Sequence, residues 1–125
     1  MNLKELKIRQ AEKTDLDDLV QMISELFSIE ADFTPDIARQ REGLMLMLED
    51  PDNKPVWIAR QDGFIAGMCT LQVLVSTAQG TYVGLIEDMF VQPQCREIGV
   101  GRALLDHACS WAHKRGLTRI QLLCD

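Results

Sequence analysis

Between Phe90 and Leu105 the chain reads Phe90-Val91-Gln92-Pro93-Gln94-Cys95-Arg96-Glu97-Ile98-Gly99-Val100-Gly101-Arg102-Ala103-Leu104-Leu105. An apolar run ends at Val91, and Pro93 stops it because proline cannot donate to a sheet ladder. Arg96-x-x-Gly99-x-Gly101 follows and passes at once into an amphipathic helix. The first N–H groups of a helix lack intrahelical partners, and the helix dipole is positive there. Glycine lets the backbone come close to a ligand. A strand, a glycine-bearing loop and a helix N-terminus together predict a pocket for a phosphate or pyrophosphate, cradled by the N–H groups from Glu97 to Arg102. Just upstream stand two adjacent carboxylates, Glu87 and Asp88. A carboxylate can act as a general base. On a strand these two point to opposite faces, so at most one should line a cleft.

The elements that must position these residues can be read in order. Leu6 to Ala11 alternates apolar and polar residues and predicts a first strand. Thr14-Asp15-Leu16-Asp17 resembles a capping box, and Leu16, Leu19, Val20, Ile23, Leu26 and Phe27 fall at helical spacing, predicting a helix from about 15 to 28. A loop with Glu30 and Asp32 follows. Thr34-Pro35 predicts a second helix start. Its apolar face is Ile37, Arg41, Leu44, Met45 and Leu48, to about residue 49. Met22, Met45 and Met47 could line an adaptable substrate pocket, beside the plainer reading of core. After the loop from Asp50 to Pro55, Val56–Arg60 is a strand and Asp62-Gly63 turns it. Phe64–Val75 is a long strand with Gly67 as a bulge position, and Thr81–Val91 is the next. These three form an antiparallel meander. A third helix runs from Gly101 to Arg115 on the stripe Leu104, Leu105, Ala108, Trp111 and Ala112, with Gly116 as its C-cap. Thr118–Cys124 is a last strand, reached by a crossover and hence parallel to the strand before the helix. The predicted class is α/β (α+β), a mixed sheet in the order β-α-α-β-β-β-α-β.

The 125 residues predict a single domain spanning 1–125, with 46% apolar and 26% charged residues as in ordinary globular chains. No apolar run approaches the ~20 residues that span a bilayer. The start, Met1-Asn2-Leu3-Lys4-Glu5, has no apolar signal segment. A cytoplasmic protein away from the membrane is expected. The net charge of −6 argues against nucleic-acid binding. It is uneven: residues 1–90 hold 8 Lys/Arg and 16 Asp/Glu, a net −8, whereas residues 91–125 hold 5 and 3, a net +2. An anionic cofactor on the C-terminal part and a cationic partner on the acidic part would fit this split, beside the plainer reading of a solvated acidic face. The four cysteines, Cys69, Cys95, Cys109 and Cys124, contain no C-x-x-C pair, so no metal is expected. They read as reduced and mostly buried thiols, with Cys95 as a candidate reactive one beside the helix N-terminus.

Three phosphate ligands compete. A P-loop needs Gly-Lys-Ser/Thr, but Arg102-Ala103 follows Gly101. A dinucleotide site needs a third glycine, where this chain has Leu104, although Asp125 stands where the ribose-binding acid would be. The third candidate rests on a family likeness. Val91-x-Pro93-x-x-Arg96-x-x-Gly99-Val100-Gly101-x-x-Leu104-Leu105 resembles motif A of the GNAT superfamily, the GCN5-related N-acetyltransferases. Glu87-Asp88-Met89-Phe90-Val91 further resembles the Glu-Asp-Leu-Phe-Val strand of spermidine/spermine-type and diamine-type members, and the element order agrees.

The resemblance implies an N-acetyltransferase in which acetyl-CoA is the co-substrate and its acetyl group passes by direct attack to the primary amine of a small, cationic acceptor. It implies cofactor contacts at Met89, Phe90, Val91, Arg96, Glu97, Ile98, Gly99, Val100, Gly101 and Arg102. A bulged strand would leave backbone groups near Met89 and Val91 for the pantetheine amides. Glu87 occupies the position of the general base in polyamine-type relatives. Two departures stand out. Glu97 follows the motif arginine where the family prefers small or basic residues; its side chain is expected to face water. Members continue after the final strand with a helix and two strands that often bring a tyrosine acid, whereas the only tyrosine here is Tyr82. A C-terminally incomplete domain is therefore expected, with an exposed edge at Arg119–Cys124 that invites homodimerisation. The alternatives are a catalytically inert acyl-CoA-binding module and, less favoured, a dinucleotide-binding domain.

Overall fold

A computed structural model of the protein describes residues 3–29 and 36–123, and the side chains of all of these except 27–29. The expected helix start at Thr34-Pro35, the loop acids Glu30 and Asp32, and Cys124 and Asp125 lie outside the described residues. The elements are β1 (Lys7–Gln10), α1 (Leu16–Ile29), α2 (Ile37–Leu48), β2 (Val56–Gln61), β3 (Phe64–Thr70), β4 (Gln72–Ser76), β5 (Thr81–Ile86), β6 (Met89–Val91), α3 (Val100–Arg115) and β7 (Ile120–Leu122). They form a mixed α/β fold of two sheets, ordered β1-β2-β3-β6 and β4-β5-β7. All pairings are antiparallel except β5 with β7, which is parallel as the crossover through α3 requires.

Alternation on the central strands divides the core in two. Ile58 and Met68 face α1 and α2, joining Leu16, Leu19, Ile23, Leu44 and Met47. Trp57, Ala59, Ala66 and Cys69 face α3, joining Val100, Leu104, Ala108 and Ala112. Each fully buried aliphatic side chain of this kind contributes about 1.5–3 kcal/mol. Gly67 lets α3 and β6 come close: a Cβ there would lie 2.6 Å from the Phe90 carbonyl oxygen and 3.2 Å from Leu104. The irregularity expected at Gly67 falls beside it, where the register shifts from Ala59↔Gly67 to Arg60↔Ile65.

Several boundaries differ from expectation. The predicted strand from Phe64 to Val75 is two strands in different sheets. They meet at Leu71, which is fully buried and donates its N–H to Pro55 O at 3.0 Å. The predicted strand from Thr81 to Val91 also splits, at Glu87 and Asp88. The helix α1 is not capped by Thr14; Asp15 accepts the Glu12 N–H at 2.8 Å and is clasped by Arg9 through two 2.8 Å contacts. Asp36 caps α2 by accepting the Arg39 N–H at 3.1 Å. The buried face of α2 is also rotated from the predicted one: Ile37 and Arg41 are exposed, while Gln40, Leu44 and Met47 turn inward. Cys95 is 1% exposed, which removes the reactive-thiol expectation.

Candidate active site

The breaks at Leu71 and at Glu87–Asp88 face each other, and side chains hold them. Thr70 N–H donates to the Asp88 carbonyl at 3.0 Å. Asp88 N–H donates to Thr70 Oγ1 at 3.3 Å, and that hydroxyl donates to Asp88 Oδ2 at 3.1 Å. The side-chain knot replaces a regular ladder and turns the chain away from β5. Beyond it the two sheets diverge. β7 follows β5 as far as the bond from Leu123 N–H to Ile86 O (2.9 Å), while β6 pairs with β3 alone.

The phase of β6 follows from its bonds to β3. Thr70 N–H to Asp88 O and Gln92 N–H to Ala66 O (2.8 Å) place residues 88, 90 and 92 in the bonded positions. Met89 and Val91 therefore turn their backbone groups to the opposite, open edge. One of these is already engaged: Arg96 Nε donates to Val91 O at 3.1 Å. Side chains alternate too. Phe90 packs towards α1 and α2, Met89 and Val91 towards α3.

After β6 a short 3₁₀ turn, Pro93–Cys95, leads into the loop. Arg96 N–H donates to Pro93 O at 3.3 Å. Glu97 (φ 69°) and Gly99 (φ 100°) are both left-handed. Two such residues around Ile98 curl the loop, a conformation glycine adopts freely and glutamate at a cost of about 1–2 kcal/mol. Gly99 is the N-cap of α3, so Val100, Gly101 and Arg102 carry first-turn N–H groups with no i−4 carbonyl to meet. A Cβ on Gly101 would touch only Val91 Cγ2, at 3.6 Å. Arg102 spends its side chain on Asp106 (3.2 Å), and Ile98 and Glu97 are exposed, Glu97 to water as expected.

On the other face of β6 lies a cavity of about 360 Å³ whose lining includes Gln40, Met47, Lys54, Phe90, Glu87 and Asp88. Both carboxylates line it, which corrects the expectation of opposite faces: at 87–88 there is no strand, so strand alternation does not apply. Glu87 is exposed, whereas Asp88 is half-buried. Burial pushes the Asp88 carboxyl above the usual range, the Thr70 hydroxyl works against this, and the Glu87 charge adds to it. Gln40 Oε1 is buried without a partner among the described residues. Sequence reasoning missed Gln40, Lys54, Gln72 and Thr70 here. Only Gln40 carried a signal, as a polar residue three after Ile37 and four before Leu44, in the middle of an apolar stripe. Tyr82 sits elsewhere, exposed on β5 opposite Val75.

The sequence profile of the Acetyltransferase (GNAT) family matches residues 16–125. This chain belongs to the GNAT acetyltransferases. An uncharacterized N-acetyltransferase from Archaeoglobus fulgidus is 30% identical to it over 111 residues, spanning 88% of this chain and 76% of the relative. Among solved structures, the GNAT chain is similar to integron cassette protein HFX_CASS3 from the mobile metagenome of Cole Harbour Salt Marsh. The TM-score is 0.86 at 23% identity, over 94% of this chain and 76% of the other. It is also similar to the aminoglycoside acetyltransferase meta-AAC0020, from an uncultured soil metagenomic sample, in complex with sisomicin. Here the TM-score is 0.74 at 22% identity, over 98% and 79% of the two chains. At these identities the solved structures establish the shared fold.

Proposed function

We propose that this GNAT chain transfers the acetyl group of acetyl-CoA to the primary amine of a small, cationic acceptor. The observation that carries the reading is the open edge of β6, which has the glycine loop and the α3 N-terminus at one end and a carboxylate-lined cavity on one face. The residues fit the cofactor. Met89 and Val91 offer outward backbone groups to its amides, and the first-turn N–H groups of Val100, Gly101 and Arg102, with those of Glu97, Ile98 and Gly99, suit its pyrophosphate. Phe90 supports the strand from the acceptor side. Arg96 Nε holds the Val91 carbonyl, whose second lone pair stays open to the cofactor, and this keeps the guanidinium beside the loop that would take the pyrophosphate. The cofactor supplies an activated acyl thioester.

The acceptor enters through the cavity, whose acidic end suits an ammonium. An alkylammonium has a pKa of about 10.4 and must lose a proton before its nitrogen can attack. The carboxylates of Glu87 and Asp88 are placed to meet it. The aminoglycoside acetyltransferase among the similar structures is compatible with a polycationic acceptor. The placement of Tyr82, away from the cavity, is what favours the second reading, an inert module that binds coenzyme A without turnover.

Titration of the wild-type chain with coenzyme A, together with a thiol-release assay on spermidine, sisomicin and lysine, tests both. Coenzyme A binding and turnover are expected; binding without turnover of any amine supports the inert module. Gly101→Leu tests the site itself. It should abolish coenzyme A affinity and leave the circular dichroism spectrum and melting temperature close to wild type, since only Val91 Cγ2 is near. Unchanged affinity would place the pocket elsewhere.

A further inference from the structure

We propose that Asp88, held in place by Thr70, is the general base that takes the proton from the acceptor ammonium, and that Glu87 serves as the outer carboxylate that attracts it. The inference rests on the acetyl-transfer reading above. Three geometric observations carry it. Thr70 is 1% exposed, so its side chain is a fixed support, and its hydroxyl pins Asp88 Oδ2 at 3.1 Å. Asp88 Oδ1 has no hydrogen-bond partner among the described residues and is left for a substrate N–H or a water. Asp88 also lines the cavity directly at the break before β6, one residue from the backbone edge at Met89. Glu87 lines the same cavity but is exposed, with nothing described that fixes its rotamer.

The charged groups around Asp88 agree with this role. From the loop before β2, Lys54 reaches the cavity wall but is bonded to Asp50 Oδ2 at 3.2 Å. From β3, the Cys69 thiol is pushed up to about 12 and stays neutral. The α1 and α2 residues lining the cavity, Ile23, Gln40, Gly43, Leu44, Leu46 and Met47, carry no charge. Burial and the nearby Glu87 charge raise the affinity of Asp88 for a proton, which suits a proton acceptor. In the step, an ammonium proton moves to the Asp88 carboxylate. The freed nitrogen lone pair forms the C–N bond to the thioester carbonyl, the C–S bond breaks with its electron pair on sulfur, and the second nitrogen proton leaves to the thiolate through solvent. Asp88 then returns its proton to water.

The pH dependence of kcat/KM, measured with spermidine and sisomicin, tests the assignment. Asp88→Asn should lower kcat/KM by about a hundredfold and remove the acidic limb of the profile, while coenzyme A affinity by calorimetry stays unchanged. Glu87→Gln should cost less and keep that limb. With p-anisidine, whose nitrogen is unprotonated at neutral pH, the Asp88→Asn loss should shrink. Thr70 is a positioning residue: Thr70→Val removes a hydrogen bond to the ionised carboxylate and should move the acidic limb to higher pH, and Thr70→Ser should restore it. A limb that persists in Asp88→Asn and vanishes in Glu87→Gln overturns the assignment. A wild-type chain that fails to bind coenzyme A overturns the underlying reading, and the assignment with it.

Discussion

Two carboxylates in this small chain, one buried and one half-buried, pull its stability in opposite directions. Asp15 closes the N-terminus of α1 and is held by Arg9, whose hydrogen bonds keep its carboxyl below the usual range. A depressed folded-state value means stability that is present above the unfolded value, about 3.9, and lost as pH falls through the folded one. Asp88 has the opposite sign. Its folded value is raised, so the native state binds the proton more tightly than the unfolded chain, and stability falls as pH rises from about 3.9 through the folded value. Asp88→Asn keeps an acceptor for Thr70 and removes the charge. Its melting temperature should exceed wild type at pH 7, and the gap should close as pH falls below about 3.9, where Asp88 is protonated in the folded and the unfolded chain alike. A variant that is less stable at pH 7 would mean that the ionised carboxylate holds the break at Glu87–Asp88 together. At this scale the sequence was partly legible. The glycines announced the left-handed turn that opens α3. The relation of Glu87 to Asp88 could not be read, because alternation applies only where a strand exists.

The elements were legible in kind and less so in extent. Helical spacing located α1, α2 and α3, since an apolar stripe repeats every three to four residues whatever the tertiary context. The two sheet corners were invisible. Leu71 is as apolar as its neighbours because it is buried on both sides of the corner, so composition does not change where the sheet does. The rotation of α2 was hidden because its inward face includes a polar residue, Gln40, while Ile37 on the apolar stripe is exposed. One glycine fixes how these elements meet. Gly67→Ala would set a methyl group 2.6 Å from the Phe90 carbonyl oxygen, backbone that cannot turn aside. It should destabilise the fold by about 1–3 kcal/mol in denaturant titrations and push β6 away from β3. Coenzyme A affinity should fall with it, since the edge of β6 moves. A fully stable variant with native affinity would show that β6 is not held by this contact.

Across the whole molecule, charge and edges decide what the protein meets. The acidic excess of residues 1–90 includes Asp17, Asp18 and Glu25 of α1 and the cavity's Glu87 and Asp88, and the basic excess lies with α3. The ends of both sheets are short strands. At one of these ends is β7, which pairs with β5 on one side, and Leu122 and Leu123 are exposed beside it. Pairing of β7 with a second copy is expected to give concentration-dependent sedimentation. A stable monomer at high concentration would exclude it. β6 has an open edge as well. An unpaired strand edge ordinarily invites any extended peptide, but this one lies beside α3 and is followed at once by the turn at Pro93. A foreign strand would find only Met89 and Val91 to bond before the turn. A slender molecule with amides at the right interval would find both. The early turn after β6 thus limits how far a foreign strand could pair along it and lowers an aggregation hazard.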